Sequence, residues 1–279
     1  MNAFTSHSGF ALPPLGFGTV RLRGDSGAEA IGRAIDAGYR LLDTAFNYEN
    51  EGAVGQAVGQ AVARGVARDE IIVTSKLPGR HHPAPLNVQS VEESRARLGL
   101  DRIDLHLIHW PNPLQGEYVD AWQGLIEAKA RDVVREIGVS NFLPEHLETI
   151  EAATGVRPVV NQIEVHPYFP QEESVAVHRE LGIITEAWSP LGRGEDVLSE
   201  PVILEIARAH DATPAQVILA WHRARGVVAI PRSSSPERQR ENLESLELTL
   251  DDGEVTTITD LGRADGRLFG GDPRHYEES

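Results

Sequence analysis

The 279-residue sequence has no cysteine, one methionine and only 6% aromatic residues. Without cysteine there are no disulfides, no thiolate metal ligands and no thiol nucleophile, a composition compatible with a reducing cytoplasm. No apolar run reaches the roughly 18 residues of a membrane helix, and the N-terminus shows no basic-then-apolar leader, so the expectation is a cytoplasmic protein with no membrane partner. Positive charge is also scarce. Lys and Arg total 26 against 42 Asp and Glu, a formal net charge of −16. A chain so acidic does not bind nucleic acid nonspecifically. An anionic ligand needs a local basic patch set against that field. Lysine is scarcest of all: only Lys76 and Lys129 interrupt a chain that otherwise writes arginine.

What is present is a repeat. Short apolar runs at 15–19, 39–44, 71–76, 103–109, 136–141, 158–163, 182–188 and 226–231 alternate with segments of helical spacing. These segments cover 27–37, 50–64, 88–98, 117–130, 144–153, 172–181, 201–210 with 214–224, and a last one after "SSSPERQRENL". Strands that alternate with helices form a parallel sheet. An open, doubly wound sheet would carry GxGxxG after its first strand, and Gly16-Phe17-Gly18-Thr19-Val20-Arg21 lacks the third glycine. Eight regular units fit a closed (β/α)8 TIM barrel better. No linker or composition shift divides the chain, so residues 1–279 read as one α/β domain. "FALPPL" lies outside the repeat and can plug the barrel bottom, and the tail from about 263 to 279 reads as irregular.

In such barrels chemistry gathers at the C-terminal ends of the strands. Those ends carry Asp43, Lys76 and His109, with Tyr48 on the loop after the second strand. Each has an ordinary reading: a strand-end Asp caps a turn, a loop tyrosine packs, a histidine is buried and satisfied. Lys76 is the most telling, because the proton affinity of lysine can be tuned and that of arginine cannot. Together the four suit proton delivery to a carbonyl. The free phenol, with a pKa of about 10, is a weak acid at neutral pH. A nearby ammonium is expected to lower it, an Asp to hold that ammonium, and a His to orient the carbonyl oxygen. With no thiol and no flavin motif, a nicotinamide is the natural hydride source.

The stretches "RLLDTAFNYENEGAVG", "SKLP", "DLHLIHWP", "IGVSNF", "VVNQIEVHPY" and "IPRSSSPERQRENL" resemble the aldo-keto reductase superfamily, and within it the bacterial 2,5-diketo-D-gluconate reductase group. The resemblance runs over about residues 10–262 with all motifs in family order. It implies a (β/α)8 barrel enzyme that uses NADPH to reduce a small-molecule aldehyde or ketone as a monomer. It assigns Asp43, Tyr48, Lys76 and His109 as the catalytic tetrad, Tyr48 being the acid. Ser140, Asn141 and Gln162 match positions that bond the nicotinamide carboxamide, and Trp188 the aromatic that stacks on its ring. Ser189, Leu191 and Gly192 match the loop over the pyrophosphate. Thr19 lies near the nicotinamide ribose, and Asp43 belongs with the cofactor-binding set as well. Arg232, Ser233, Arg238, Glu241 and Asn242 match the adenosine end. There Ser235-Pro236 reads as a helix start that can face an anion, although a charged, solvated helix is the ordinary reading.

Two positions depart from the family. Arg232 stands where lysine is usual, and Val20 where many members carry a large aromatic. The substrate wall is expected from Val20, Phe46, Tyr48, His109 and Trp110, closed by the tail near Leu268-Phe269. Specificity is expected in the loops 77–86 and 112–117 and in the tail. Trp122 and Trp221 fall in helical segments and read as core. The pairs His81-His82 and His106/His109 lack a supporting Asp/Glu/His cluster, so no metal is expected. Two other readings stay open: a nicotinamide-binding regulatory module with negligible turnover, and a metal-dependent barrel hydrolase or isomerase.

Overall fold

The computed structural model describes residues 3–193 and 195–278. Its frame is a parallel sheet of eight strands: β3 (Phe17–Gly18), β4 (Leu41–Asp43), β5 (Ile72–Leu77), β6 (Ile103–Ile108), β7 (Val134–Ser140), β8 (Val160–Glu164), β9 (Ile184–Trp188) and β10 (Val227–Ala229). Each pairs with its sequence neighbour. A parallel bridge between Leu15 and Ala229, with Gly16 N–H donating to the Ala229 carbonyl, joins first strand to last and closes the barrel. The helices between strands are α1 (Gly24–Ala37), α2 (Glu51–Ala63), α3 (Leu86–Leu98), α4 (Tyr118–Ala130), α5 (Pro144–Thr154) and α6 (Glu172–Leu181). After β9 come α7 (Glu195–Leu198), α8 (Pro201–Ala209) and α9 (Pro214–Ala224), and after β10 come α10 (Pro236–Glu244) and α11 (Asp252–Thr259).

The acidic run "DDGE" (251–254) starts α11. Asp251 accepts from Glu254 N–H while the Glu254 side chain accepts from Asp251 N–H, a reciprocal cap. The opening strand is only two residues long, because Gly16 and Gly18 supply no side chains to pack and the barrel joint runs through Leu15. Ahead of it, β1 (Phe4–Thr5) and β2 (Ala11–Leu12) form an antiparallel hairpin. Phe10 and Leu12 from that hairpin pack with Leu41, Leu105, Leu107 and Val228 in the barrel interior. The larger core lies outside, where the apolar stripes of α1–α5 meet the sheet; Trp122 and Trp221 are fully buried.

The register explains why distant residues reach one rim. Asp43 lies opposite Thr74, two residues before Lys76, and Lys76 lies opposite Leu107, two residues before His109. From Asp43 to Lys76 to His109 the rim residue steps forward by two at each strand, and a step of two keeps side chains on the same face.

Helix packing fixes one residue type sharply. A Cβ on Gly55 of α2 would sit 2.0 Å from the Leu98 carbonyl oxygen at the end of α3, whereas Gly59 on the same helix has open space. Helix propensity favours alanine at both by about 1 kcal/mol. Gly59→Ala is expected to raise stability by about 0.5–1 kcal/mol. Gly55→Ala is expected to lower it by about 2 kcal/mol or more, since backbone must shift. Urea unfolding of the two variants checks this; equal effects would mean that α2 and α3 do not pack so closely.

Candidate active site

The chain after β4 makes one 3-10 turn over Phe46–Tyr48 and then leaves through Glu49 in the left-handed conformation, φ 54°. Asn50 staples this loop. Its amide donates to the carbonyls of Thr19 (2.8 Å) and Leu22 (3.0 Å), and its oxygen accepts from Thr44 Oγ1 at 2.5 Å. The result is a Tyr48 side chain aimed at Lys76 by a loop with little freedom to move.

Lys76 is fully buried with Asp43 beside it, Nζ to Oδ1 2.6 Å. Nζ also donates to the Thr44 carbonyl at 2.9 Å and lies 5.2 Å from the Tyr48 ring centroid. Burial alone would depress the Lys76 pKa; the charges of Asp43 and Tyr48 more than offset it, and the ammonium is held above its ordinary value. Tyr48 corrects the expectation from sequence. Its pKa is raised, because burial outweighs the lowering by Lys76 and because Asp43 and Glu278 add to the rise. The ammonium does act in the expected direction, but desolvation is larger.

Asp43 Oδ1 has a second donor, Gln162 Nε2 at 2.8 Å, which also reaches Glu186 Oε2 at 2.9 Å. Glu186 is fully buried in β9 and pushed up to about 7, first by burial and then by the Asp43 charge, with Gln162 opposing. Sequence reasoning passed over it. The signal was there: Glu186 stands two residues before Trp188 and so shares its face on the strand.

His109 follows β6 and meets Tyr48 edge to face, ring centroids 5.9 Å apart. Its Nδ1 lies 2.6 Å from Glu278 Oε1. His106, three residues earlier, is buried with neither nitrogen partnered, and burial drives its pKa down to about 3.

These groups stand at one end of a cavity of about 570 Å³. Val20, Asp43, Tyr48, His109, Trp110 and Glu278 border it there. Ser140, Asn141, Gln162, Trp188, Ser189 and Leu191 border its middle, and Arg232 its far side. Asn141 (φ 62°) and Ser189 (φ 48°) both turn left-handed just as their strands end, strain of the kind that concentrates at functional sites. Asn141 Nδ2 donates to the His109 carbonyl (2.9 Å) and to Ser140 Oγ (3.0 Å), and its oxygen accepts from Trp188 Nε1 at 2.7 Å.

The remaining expected residues do not border the cavity. Thr19 is buried, donating to the Asp43 carbonyl at 2.8 Å. Gly192 packs against Val197. Ser233, Arg238, Glu241 and Asn242 lie at and beyond the N-terminus of α10, past Arg232. The Glu241 carboxylate accepts from Thr213 Oγ1 at 2.7 Å, Tyr39 engages Asn242, and Arg238 is exposed with its N–H capped by Ser235 Oγ. Phe46 turns away from the cavity, because Arg97 (4.0 Å) and His81 (4.9 Å) hold its ring on the outer side of the turn. The tail supplies Phe269, Tyr276 and Glu278 to the wall, and Leu268 is not among the lining residues. Phe269 stacks on Trp188, and Tyr276 on Trp110 at 4.3 Å.

A closed eight-stranded barrel with Asp, Tyr, Lys and His gathered on the C-terminal rim belongs to a recognised class, and residues 14–263 match the model of the Aldo/keto reductase family. The chain is a member of that family. It is similar to 2,5-diketo-D-gluconic acid reductase B of Corynebacterium sp. (strain SHS752001), with 52% identity over 96% of this chain and 95% of that protein. It is also similar to the crystal structure of a Gox0644 mutant in complex with NADPH, with TM-score 0.92 and 41% identity over 99% of this chain and 98% of the other. An aldo-keto reductase of Bombyx mori in complex with NADP superposes with TM-score 0.91 and 32% identity, covering 99% and 98% of the two chains.

The Glu186 carboxyl generates a pH-dependent stability. Between the unfolded value near 4.5 and the folded value of about 7, the folded protein keeps a proton the unfolded chain releases, so stability falls as pH rises. The deficit is complete above pH 7, roughly 3 kcal/mol. Glu186→Gln is therefore expected to raise Tm at pH 8 and leave it almost unchanged at pH 4.5. A gain of the same size at both would show that Glu186 is not what titrates.

Proposed function

We propose that this protein reduces an aldehyde or ketone to an alcohol with NADPH, with Tyr48 as the general acid. The observation that carries the reading is the convergence of Lys76, Asp43 and Tyr48 beside His109 at the inner end of a cavity with Trp188 on its wall.

The residues present suit the cofactor. Gln162 Oε1 carries no hydrogen bond among the described residues, and it borders the cavity as an acceptor for a carboxamide N–H. Trp188, held by Asn141, offers a flat face to a planar ring. Gly18 approaches the Ile230 carbonyl so closely that a Cβ would meet it at 3.3 Å, which keeps the wall near Arg232 low. Beyond it the N-terminus of α10, with Arg232, Arg238 and Arg240 forming no ion pair among the described residues, suits phosphate in an otherwise acidic protein. When bound, the reduced nicotinamide supplies the hydride that the carbonyl carbon receives. His109 and Tyr48 hold the carbonyl oxygen, and the Tyr48 hydroxyl passes its proton to that oxygen as negative charge develops there. The raised Tyr48 pKa does not prevent this, because an alkoxide is a far stronger base than a phenolate. Lys76 then stabilises the phenolate that remains, and Asp43 keeps Lys76 charged and in place. One chain carries every one of these groups, so the reaction needs no partner subunit.

Consumption of NADPH across a panel of small aldehydes and ketones tests the activity. Tyr48→Phe is expected to lower kcat by about 10²–10⁴-fold while leaving the NADPH Kd within a factor of two. Turnover at the wild-type rate in that variant would remove Tyr48 from the acid role. NADPH binding with no carbonyl-dependent oxidation would instead assign a regulatory binding module.

The cofactor phosphate has its own test. Arg238→Ala is expected to weaken NADPH roughly tenfold or more and to leave NADH nearly unaffected, since charge-assisted bonds to a 2′-phosphate would be lost. Equal losses for both cofactors, measured by fluorescence titration, would make the arginine structural.

A further inference from the structure

Glu278 lies in a tail without regular secondary structure. Here it is only 9% exposed. Its docking site is built from three separate loops. Asn112, after β6, reads its backbone as a strand neighbour would: Glu278 N–H donates to Asn112 Oδ1 at 2.9 Å, and its carbonyl accepts from Asn112 Nδ2 at 2.8 Å. Asn47, after β4, donates to the carboxylate Oε1 at 2.8 Å. Gly79, after β5, donates its N–H to Oε2 at 3.1 Å. A Cβ on Gly79 would lie 2.8 Å from the Glu278 carbonyl and 2.1 Å from Asn112 Nδ2, so the dock excludes any other residue there. All of this places Oε1 2.6 Å from His109 Nδ1.

We propose that Glu278 is a positioning residue for His109: the tail carries its carboxylate into the active site to hold His109 as the imidazolium, so that both ring nitrogens bear protons and the one facing the substrate can donate to the carbonyl oxygen. The inference rests on the carbonyl-reducing reading of the site and adds a member to it. A neutral imidazole has one N–H, and a carboxylate at Nδ1 draws it there, leaving the other nitrogen an acceptor. Such a ring would repel a carbonyl oxygen. The imidazolium has donors on both sides and satisfies the carboxylate and the substrate together.

The surrounding charges bear this out. Lys76, fully buried on β5, opposes a second cation nearby, and Asp43 on β4 offsets it at 2.6 Å. Tyr48 meets the His109 ring and is neutral as a phenol. On the tail side, His82 feels the Glu278 charge, and Arg80 reaches the same dock by donating to Asn47 Oδ1 at 2.6 Å. Glu278 is therefore the anion in contact with His109. Burial works to raise the Glu278 carboxyl, but His109, Asn47 and the Gly79 N–H more than offset it and hold it ionised. The same carboxylate disfavours loss of the Tyr48 proton, which keeps the phenol loaded for donation.

Glu278→Gln keeps the size and one acceptor oxygen, enough for Asn47 Nδ2 or the Gly79 N–H but not for both, while removing the charge. In the full-length protein with saturating NADPH and a neutral aldehyde, the ratio of variant to wild-type kcat/KM is expected to fall about tenfold between pH 5.5 and pH 8, as the alkaline limb moves down by about one unit. Asn112→Ala, which loosens the dock without touching the charge, is expected to move the limb the same way. A loss of equal size at every pH, or an unmoved limb, would reduce Glu278 to a structural anchor and overturn the proposal. The ¹⁵N NMR signals of the His109 ring, assigned by difference from His109→Gln, read the same interaction without turnover: both ring nitrogens are expected to carry protons in the wild type at pH 7 and only one in Glu278→Gln. Identical His109 ring signals in the two proteins sink this inference alone, whereas a wild-type protein that oxidises no NADPH with any carbonyl sinks the reading beneath it.

Discussion

The buried pair of Lys76 and Asp43 is the constraint around which the site is arranged. Two charges removed from water cost several kcal/mol each unless geometry and added hydrogen bonds compensate. Both ions are compensated here: Lys76 donates to Asp43 and Thr44 and lies against the Tyr48 ring, and Asp43 takes a second donor from Gln162. Each partner is fixed by another element: Thr44 by Asn50, Gln162 by Glu186, Tyr48 by the turn that Arg23 braces through the Tyr48 carbonyl at 2.9 Å. Removal of either ion would leave the other buried and unpaired, so the pair ties four strands and one loop into a unit. That rigidity is what a proton-donating phenol needs, because its hydroxyl must already point at the place where negative charge appears.

The barrel stagger is what lets a chain place such a pair. Asp43, Lys76 and His109 lie 33 residues apart in sequence at each step, yet the rim residue steps forward by two at each strand and keeps the inward face. A slip of one residue in β5 would send Lys76 outward among the helices and leave Asp43 unpaired. In β6 the interior residues Leu105 and Leu107 resist such a slip, since a one-residue shift would bring Asp104 and His106 into their places. Packing at the bottom of the barrel thus holds the chemistry at its top.

These relations were unequally legible in the sequence. Strand ends and helical spacing are local patterns, so the repeat, the four polar residues on the rim and the closed sheet could be read from residues near one another in the chain. Phe46 could not be placed that way. It sits between two tetrad residues, but its direction is set by Arg97 on α3, a contact made 51 residues away. Glu278 was invisible for the same reason. Nothing around "HYEES" predicts burial, and its partners Asn47, Gly79, Asn112 and His109 come from three other loops. Glu186 was legible by its parity with Trp188, and its carboxyl was passed over because an isolated Glu in a strand usually faces water.

The expectation for Tyr48 has the effect of Lys76 right and the net direction wrong. Lys76 does favour the phenolate, yet desolvation of a fully buried phenol is the larger effect, and the carboxylates of Asp43 and Glu278 add to it. The resulting weak acid is consistent with reduction. A strongly acidic tyrosine would lose its proton before a substrate arrived, and the phenolate left behind would repel the oxygen it is meant to protonate. A phenol held above its ordinary pKa stays loaded across the neutral range and releases its proton only to a stronger base, such as the alkoxide formed when a carbonyl accepts hydride. The ammonium then matters after the transfer more than before it, as the charge that receives the new phenolate. Burial and the carboxylates of Asp43 and Glu278 thus act together against Lys76 to keep the proton on Tyr48, and in the proposed reduction it leaves only when the substrate oxygen becomes basic enough to take it.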